Sequence, residues 1–151
     1  MKLIYTASQV REAEKPYIEA ADYDGYLMQR AADAVAAEAQ ELLHGKDTAK
    51  ILLLIGPGNN GADTIYAGAR LSAKGHRVDA VIFDPSEKNL ELIAREGGEG
   101  TRVLDPEHPL EHLTGYDLTI DGILGTGSSG AVRGSAGEYL GVLRAAQLDG
   151  K

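Results

Sequence analysis

The chain has 151 residues, 43% of them hydrophobic, which is one domain's worth of sequence with enough apolar side chain for a core. Its formal net charge is −8 with no basic tract, which argues against a nucleic-acid partner, because binding a phosphate backbone needs clustered Lys and Arg. There is no cysteine, so disulfides, thiolate zinc sites and cysteine nucleophiles are excluded. The opening MKLIYTASQVREAEK lacks a signal-peptide core and no apolar run approaches membrane-spanning length, which makes the cytoplasm the expected compartment.

Thr6 and Gln9 stand in capping-box spacing, so a helix is expected to begin near Ala7. Gly25 interrupts it, and a longer helix should follow with Leu27, Ala31, Val35 and Leu42 on its buried face. Ile51 to Ile55 (ILLLI) is an unbroken aliphatic run ending at Gly56, which reads as a buried parallel strand. The stretch DTIYAGARLSAK then reads as a helix with Asp63 at its start. Arg77 to Phe83 (RVDAVIF) is a second strand ending at Asp84-Pro85. Ser86 to Arg95 is a helix stopped by Gly97-Gly98, and Thr101 to Leu104 is a short strand. Tyr116 to Asp121 (YDLTID) is a fourth strand, followed by a glycine-rich turn over 122–130 and a helix from Ser135 to Gln147. Alternating strands and helices imply an α/β fold of three layers, a doubly wound and mostly parallel sheet covered on both sides.

The segment ILLLIGPGNNGAD, residues 51–63, joins a strand, a glycine-rich turn and a helix N-terminus. Glycines allow close backbone approach and the unpaired amides of a first helical turn attract anions, so the segment points to a nucleotide. Gly56, Gly58 and Gly61 satisfy G-x-G-x-x-G, with Asp84 at about the spacing of a ribose-binding acid, as in the NAD unit of a dehydrogenase. Pro57 removes a backbone donor from that turn, however, and Asn59-Asn60 adds side-chain amides a pyrophosphate turn does not require. In such folds ligands bind beyond the carboxyl ends of the strands, so the two glycine-rich turns are expected to face one crevice. Plainer roles stand beside these. Asp121 can cap its own turn, Asn59 and Asn60 suit left-handed backbone, and Asp63 suits a helix N-cap. Arg133 is the only basic side chain near either loop in the sequence and is placed to meet a phosphate. His108 and His112 are four apart, but Pro109 breaks the helix that would make them a metal pair.

Three stretches, LMQRAADAVA (27–36), GPGNNGAD (56–63) and DLTIDGILGTGSSGAVRG (117–134), closely resemble the amino-terminal YjeF-type domain, the NAD(P)H-hydrate epimerase family. That family's pattern is GPGNNGGDG, a strand ending in Asp before a glycine-rich loop, and an LMERAG-like early helix. The resemblance implies a Rossmann-like doubly wound fold, interconversion of the R and S forms of hydrated NADH or NADPH without redox change, and a bound potassium ion. Carried over by position, it implies that Asn59, Asn60, Gly61, Ala62 and Asp63 line the dinucleotide site. Asn60 and Asp121 match the potassium ligands, and Gly125, Thr126, Gly127, Ser128, Ser129, Gly130 and Ala131 match the second substrate loop. A hard monovalent cation takes oxygen donors, and beside a phosphate-rich cofactor it offsets the repulsion of an acidic protein. Two positions depart from the pattern: Ala62 stands where the family has Gly, which is expected to narrow backbone approach, and Thr64 stands where Gly is frequent. The family also continues into a strand with a V-D-x-P-S-G motif and its own acidic candidate, so residues 1–151 are expected to be one domain truncated on its C-terminal side. A homodimer and fusion to a dehydratase domain are arrangements the resemblance leaves open.

The leading functional expectation is an isomerase of the hydrated dinucleotide. Its C6 hydroxyl lies next to the ring nitrogen, so loss and return of that oxygen through a cation inverts the centre. Asp121 is the catalytic acid of choice among these residues. The alternatives are an NAD-dependent oxidoreductase half and a non-catalytic YjeF-like nucleotide-binding or scaffold domain.

Overall fold

The first helix begins where the capping box places it: Thr6 Oγ1 accepts from the Gln9 N–H at 3.2 Å and Gln9 Oε1 accepts from the Thr6 N–H at 2.9 Å. In the computed structural model, which describes residues 4–98, 100–106, 115–125, 128 and 130–148, this helix, α1, spans Ala7–Ile18 and buries none of its residues. Gly25 then takes a left-handed conformation (φ 86°) and α2 runs Tyr26–Leu42. Its buried face is not the expected one. Ala32, Ala36 and Ala39 line it, continued by Leu43 just past its end, while Val35 and Leu42 are exposed. Alanines win because the helix packs against a second helix, where small side chains allow close approach. Arg70 on that neighbour fastens the pair through Asp33 and through a 2.6 Å bond to Gln29 Oε1.

Strand β1 (Lys50–Ile55) is followed by α3 (Asn59–Ala73), β2 (Arg77–Ile82), α4 (Glu87–Glu96), β3 (Thr101–Leu104), β4 (Leu118–Gly122) and α5 (Gly134–Leu148). All pairings are parallel and the order is β3-β2-β1-β4, so β1 is central. Its alternating side chains feed both faces. Ile51, Leu53 and Ile55 pack with Ile65, Leu71 and Leu92 of the α3–α4 layer, and Leu52 and Leu54 pack with Val81, Phe83 and Tyr139 beneath α5. A strand buried on both sides has no polar alternation, which explains the uninterrupted aliphatic run. Each of these side chains contributes about 1.5–3 kcal/mol of burial. The expected three-layer α/β arrangement is therefore the observed one. Tyr139, Leu140, Val142 and Leu143 of α5 belong to the second cluster, with Phe83 and Tyr139 edge to face at 5.2 Å.

Strand β4 starts two residues later than the sequence suggested, and ahead of it Tyr116 and Asp117 make side-chain bonds at the amino edge of the sheet. Asp117 accepts from Lys46 Nζ at 2.6 Å and from the Lys50 N–H at 2.9 Å. Tyr116 Oη donates to Asp79 Oδ2 at 2.6 Å, and Lys50 Nζ lies 4.3 Å from the Tyr116 ring centroid. Asp79, on β2, is nearly enclosed and also takes a two-pronged pair from Arg102 of β3, at 2.9 Å on each oxygen. At the same edge His76 is buried, accepts from the Ala49 N–H at 3.1 Å and meets the Gln40 amide.

Burial alone would raise the Asp79 carboxyl, but bonds from Arg102 and Tyr116 outweigh it and hold it below the ordinary carboxylate range. Burial and Asp79 push the Tyr116 phenol up. Since the folded state holds the Asp79 proton less tightly than the unfolded chain does, its contribution is present above about pH 4 and fades as pH falls through that range. Asp79→Asn is expected to cost about 1–3 kcal/mol near neutral pH. Its deficit in melting temperature should shrink in acid; a deficit that stays constant from neutral pH into acid would contradict this assignment.

Candidate functional site

The chain leaves β1 for β2 and β3 on one side and returns to β4 on the other, so winding direction reverses at the carboxyl ends of β1 and β4. A crevice opens at such a reversal. Both glycine-rich loops start there, side by side, and the ladder continues into them: the Gly56 N–H donates to Gly122 O at 3.1 Å. Their approach depends on missing side chains. A β-carbon on Gly56 would overlap the Ile123 backbone. One on Gly122 would overlap Thr64 Oγ1 and lie 2.8 Å from Thr64 Cβ and 3.0 Å from Asn60 O.

Helix α3 begins at Asn59, four residues earlier than expected, because Gly58 in extended conformation (φ −91°, ψ −170°) supplies the cap and Gly61 fits against the Gly56 carbonyl, where a β-carbon would not. The first rung is Ala62 N–H to Gly58 O at 3.3 Å. The amides of Asn59, Asn60 and Gly61 precede it and so have no intrahelical acceptor, which puts partial positive charge at the crevice. Asp63 is therefore the helix's fifth residue and no N-cap. It is half-buried, and its carboxyl sits above the ordinary range through burial first and then repulsion from Glu14 of α1, partly offset by Lys88.

Asn60 joins the two loops. Its Nδ2 donates to Leu124 O at 3.0 Å, its own carbonyl accepts from Thr64 Oγ1 at 2.9 Å, and a β-carbon on Gly125 would touch its Cβ at 3.5 Å. Asp121 is exposed at the end of β4, with Oδ1 accepting from the Ile123 N–H at 2.9 Å, so the turn-capping role is present whatever else the residue does. Asn59 is exposed. Ala62 is fully buried in the core, so its methyl does not narrow the crevice as expected. In the second loop the Ser128 N–H closes a turn onto Gly125 O at 3.0 Å, Gly130 is left-handed (φ 93°), and Ala131 and Arg133 are exposed. Thr126, Gly127 and Ser129 lie outside the described residues, as do His108 and His112.

Two residues of α4 belong here that the sequence reading missed. Lys88 Nζ reaches Asn59 Oδ1 at 3.3 Å, so Arg133 is not the only cation beside the loops. Asn89 is 1% exposed, and its Nδ2 donates to Gly56 O at 2.8 Å and to Gly58 O at 3.2 Å. A signal for them existed: Pro85-Ser86 caps the helix after the strand that neighbours β1, which brings that helix's first turn against the first loop. Among the described residues no group of three or more His, Cys, Asp or Glu side chains converges as a metal site, and no helix is long and apolar enough to cross a membrane.

A model of the family described as YjeF-related protein N-terminus matches residues 25–148. The chain belongs to that family. It is 36% identical over 137 residues to a protein of Corynebacterium glutamicum named bifunctional NAD(P)H-hydrate repair enzyme Nnr, covering 87% of this chain and 23% of that protein. It is 34% identical over 134 residues to one of Microbacterium testaceum named NAD(P)H-hydrate epimerase, covering 87% of this chain and 50% of the other. The chain thus spans half or less of these two relatives. The crystal structure of a yeast protein, YNL200c, superposes with a TM-score of 0.79 over 97% of this chain and 67% of its own, at 21% identity, a likeness of fold.

The contact between Gly122 and Thr64 makes a prediction. Gly122→Ala should destabilise by about 1–3 kcal/mol through overpacking. Adding Thr64→Gly should return part of that loss despite the roughly 1 kcal/mol cost of glycine in a helix. Thermal denaturation of the two single variants and the double variant measures the coupling; strictly additive losses would mean the two positions do not press on each other.

Proposed function

We propose that this chain is an epimerase domain of nicotinamide dinucleotide repair, interconverting the R and S hydrates of NADH or NADPH. The observation that carries the reading is the joining of the two loops at the β1–β4 reversal through Asn60, in a chain about one-third identical to proteins named for this activity. The amides of Asn59, Asn60 and Gly61, with Lys88 beside them, suit the pyrophosphate. The second loop, of which Gly125, Ser128, Gly130 and Ala131 are described, is the candidate for contacts with the rest of the substrate. Asp121 gives a proton to the C6 hydroxyl, which leaves as water. The ring nitrogen's lone pair stabilises the cation, and water returning from either face gives its proton back to the carboxylate. Asp63 is the second candidate for this role, because burial has raised its affinity for a proton.

The residues at this edge suit potassium. Asn60, with Nδ2 committed to Leu124 O, keeps Oδ1 as an acceptor, and Asp121, with Oδ1 on the Ile123 N–H, keeps Oδ2, which serves the ion in the ionised carboxylate and holds the proton when the residue acts as the acid. One carboxylate, one amide oxygen and backbone carbonyls match a singly charged hard ion better than a divalent one. When bound, the ion neutralises phosphate charge beside an acidic protein. Fusion to a dehydratase domain and a cytoplasmic setting complete the reading, the first supported by the relative named as bifunctional, of which this chain covers 23%.

Equilibration of purified R hydrate into S hydrate, resolved by chromatography with spontaneous conversion subtracted, tests the activity. Binding without conversion would favour the scaffold alternative, and a substrate-dependent change in near-ultraviolet nicotinamide absorbance would favour a dehydrogenase. Asp121→Asn should lower kcat by about 100-fold or more if it is the acid–base; if it does not and Asp63→Asn does, the roles exchange. Lys88→Ala should raise KM by about five- to tenfold with little change in kcat, as expected for a lost charge-assisted contact. Potassium should raise the melting temperature of the wild type relative to a bulky organic cation, and Asn60→Ala with Asp121→Ala should abolish that rise. A persisting rise would place the ion elsewhere.

A further inference from the structure

Asn89 is buried beneath the first loop with its amide only half satisfied. Nδ2 serves two backbone carbonyls, Gly56 O and Gly58 O, whereas Oδ1 is enclosed with no donor among the described residues. The reverse orientation would set an amide oxygen against both carbonyls, so the donor end must face the loop. A buried acceptor without a partner keeps the desolvation cost of its lone pairs, which an apolar side chain of the same shape would avoid. What such a residue would not supply is the two donated bonds.

Those bonds bear on a peptide that little else restrains. Gly58 has no side chain, its extended conformation is open to many residues, and a β-carbon there would meet nothing within 4 Å. Its carbonyl is held by two donors, the Ala62 N–H at 3.3 Å and Asn89 Nδ2 at 3.2 Å. The peptide plane is trans, so the Asn59 N–H points opposite to the Gly58 carbonyl, away from the interior where Asn89 lies. The Gly56–Pro57 peptide carries no N–H and the Gly56 N–H is committed to Gly122 O, so the amides the loop can offer a ligand begin at Gly58 and continue through Asn59 to Gly61.

We propose that Asn89 is the positioning residue of the site: by holding the Gly56 and Gly58 carbonyls inward, it presets the amides that begin at Asn59 to receive a phosphate oxygen of the dinucleotide. It does not touch the substrate. Its effect is on binding, through a loop that would otherwise have to be ordered by the ligand itself. The kinetic consequence rests on the epimerase reading above, but the loop geometry does not.

The test has two arms. Without ligand, nuclear magnetic resonance of the full chain should show a through-hydrogen-bond coupling from Asn89 Nδ2 to the Gly56 carbonyl carbon. Its absence overturns the proposal even if no variant folds. In the same arm Asn89→Leu, branched at the same carbon though bulkier, and Asn89→Asp, the same shape without the donors, should shift and broaden the amide signals of Asn59, Asn60 and Gly61 while signals from β1 and β2 stay in place. With the R hydrate, both variants should raise KM by about tenfold and change kcat by less than about threefold, the pattern of lost ground-state binding. Wild-type amide signals at 59–61 together with wild-type KM in Asn89→Leu would mean that Asn89 only fills space. If the wild type itself does not epimerise, the functional reading fails, and the ligand-free arm still decides the role of Asn89.

Discussion

Gly122 has no β-carbon, and Thr64 and the Asn60 carbonyl, in the first two turns of α3, lie in the space one would occupy. From that contact the rest of the site follows. With Thr64 seated against Gly122, the helix start lies directly over the end of β4, which brings Asn60 within reach of Leu124 and lets Gly56 extend the β1–β4 ladder by one rung. An extra methyl at Gly56 or Gly122 would push helix and strand apart. Interiors respond to such overpacking by moving whole elements, since little free volume exists to absorb it.

The two ends of the sheet are built from different chemistry. At the amino edge, long side chains tie strands together: Asp79 with Arg102 and Tyr116, and Asp117 with Lys46 and the Lys50 amide. At the carboxyl edge β1 and β4 run into glycines, and the contacts between their loops are made by backbone and the Asn60 amide. The first arrangement gives rigidity where nothing needs to enter. The second leaves donors and acceptors close to the surface, where a ligand can reach them without displacing bulky groups.

Much of the fold was legible because local signals and tertiary demands agree. The aliphatic run of β1 is what a central parallel strand requires, the Thr6–Gln9 pair caps a helix on its own, and Ser86 does the same for α4. The misplaced face of α2 shows where they diverge. Helical periodicity of the larger apolar residues pointed to Val35 and Leu42, but the partner surface on α3 accepts alanines, and no property of α2 alone reveals that. The start of α3 was missed because Asn59 and Asn60 read as turn residues, although Gly58 can cap and both asparagines can stand in a first helical turn. Lys88 and Asn89 escaped because they reach the loop from another crossover helix; only the adjacency of β1 and β2 makes them neighbours of Gly56.

The Gly56 N–H to Gly122 O bond, at 3.1 Å, has a consequence for what can enter. Because the ladder runs into the loops, the floor of the crevice is closed by paired backbone, with strands about 4.8 Å apart and no gap between them, and the loop stems cannot part without unzipping β1 from β4. Any molecule that enters rests on that floor and does not pass between the strands. Selection among ligands then falls to the groups above it, Lys88 among them, so substitutions there should retune preference while the floor stays as it is.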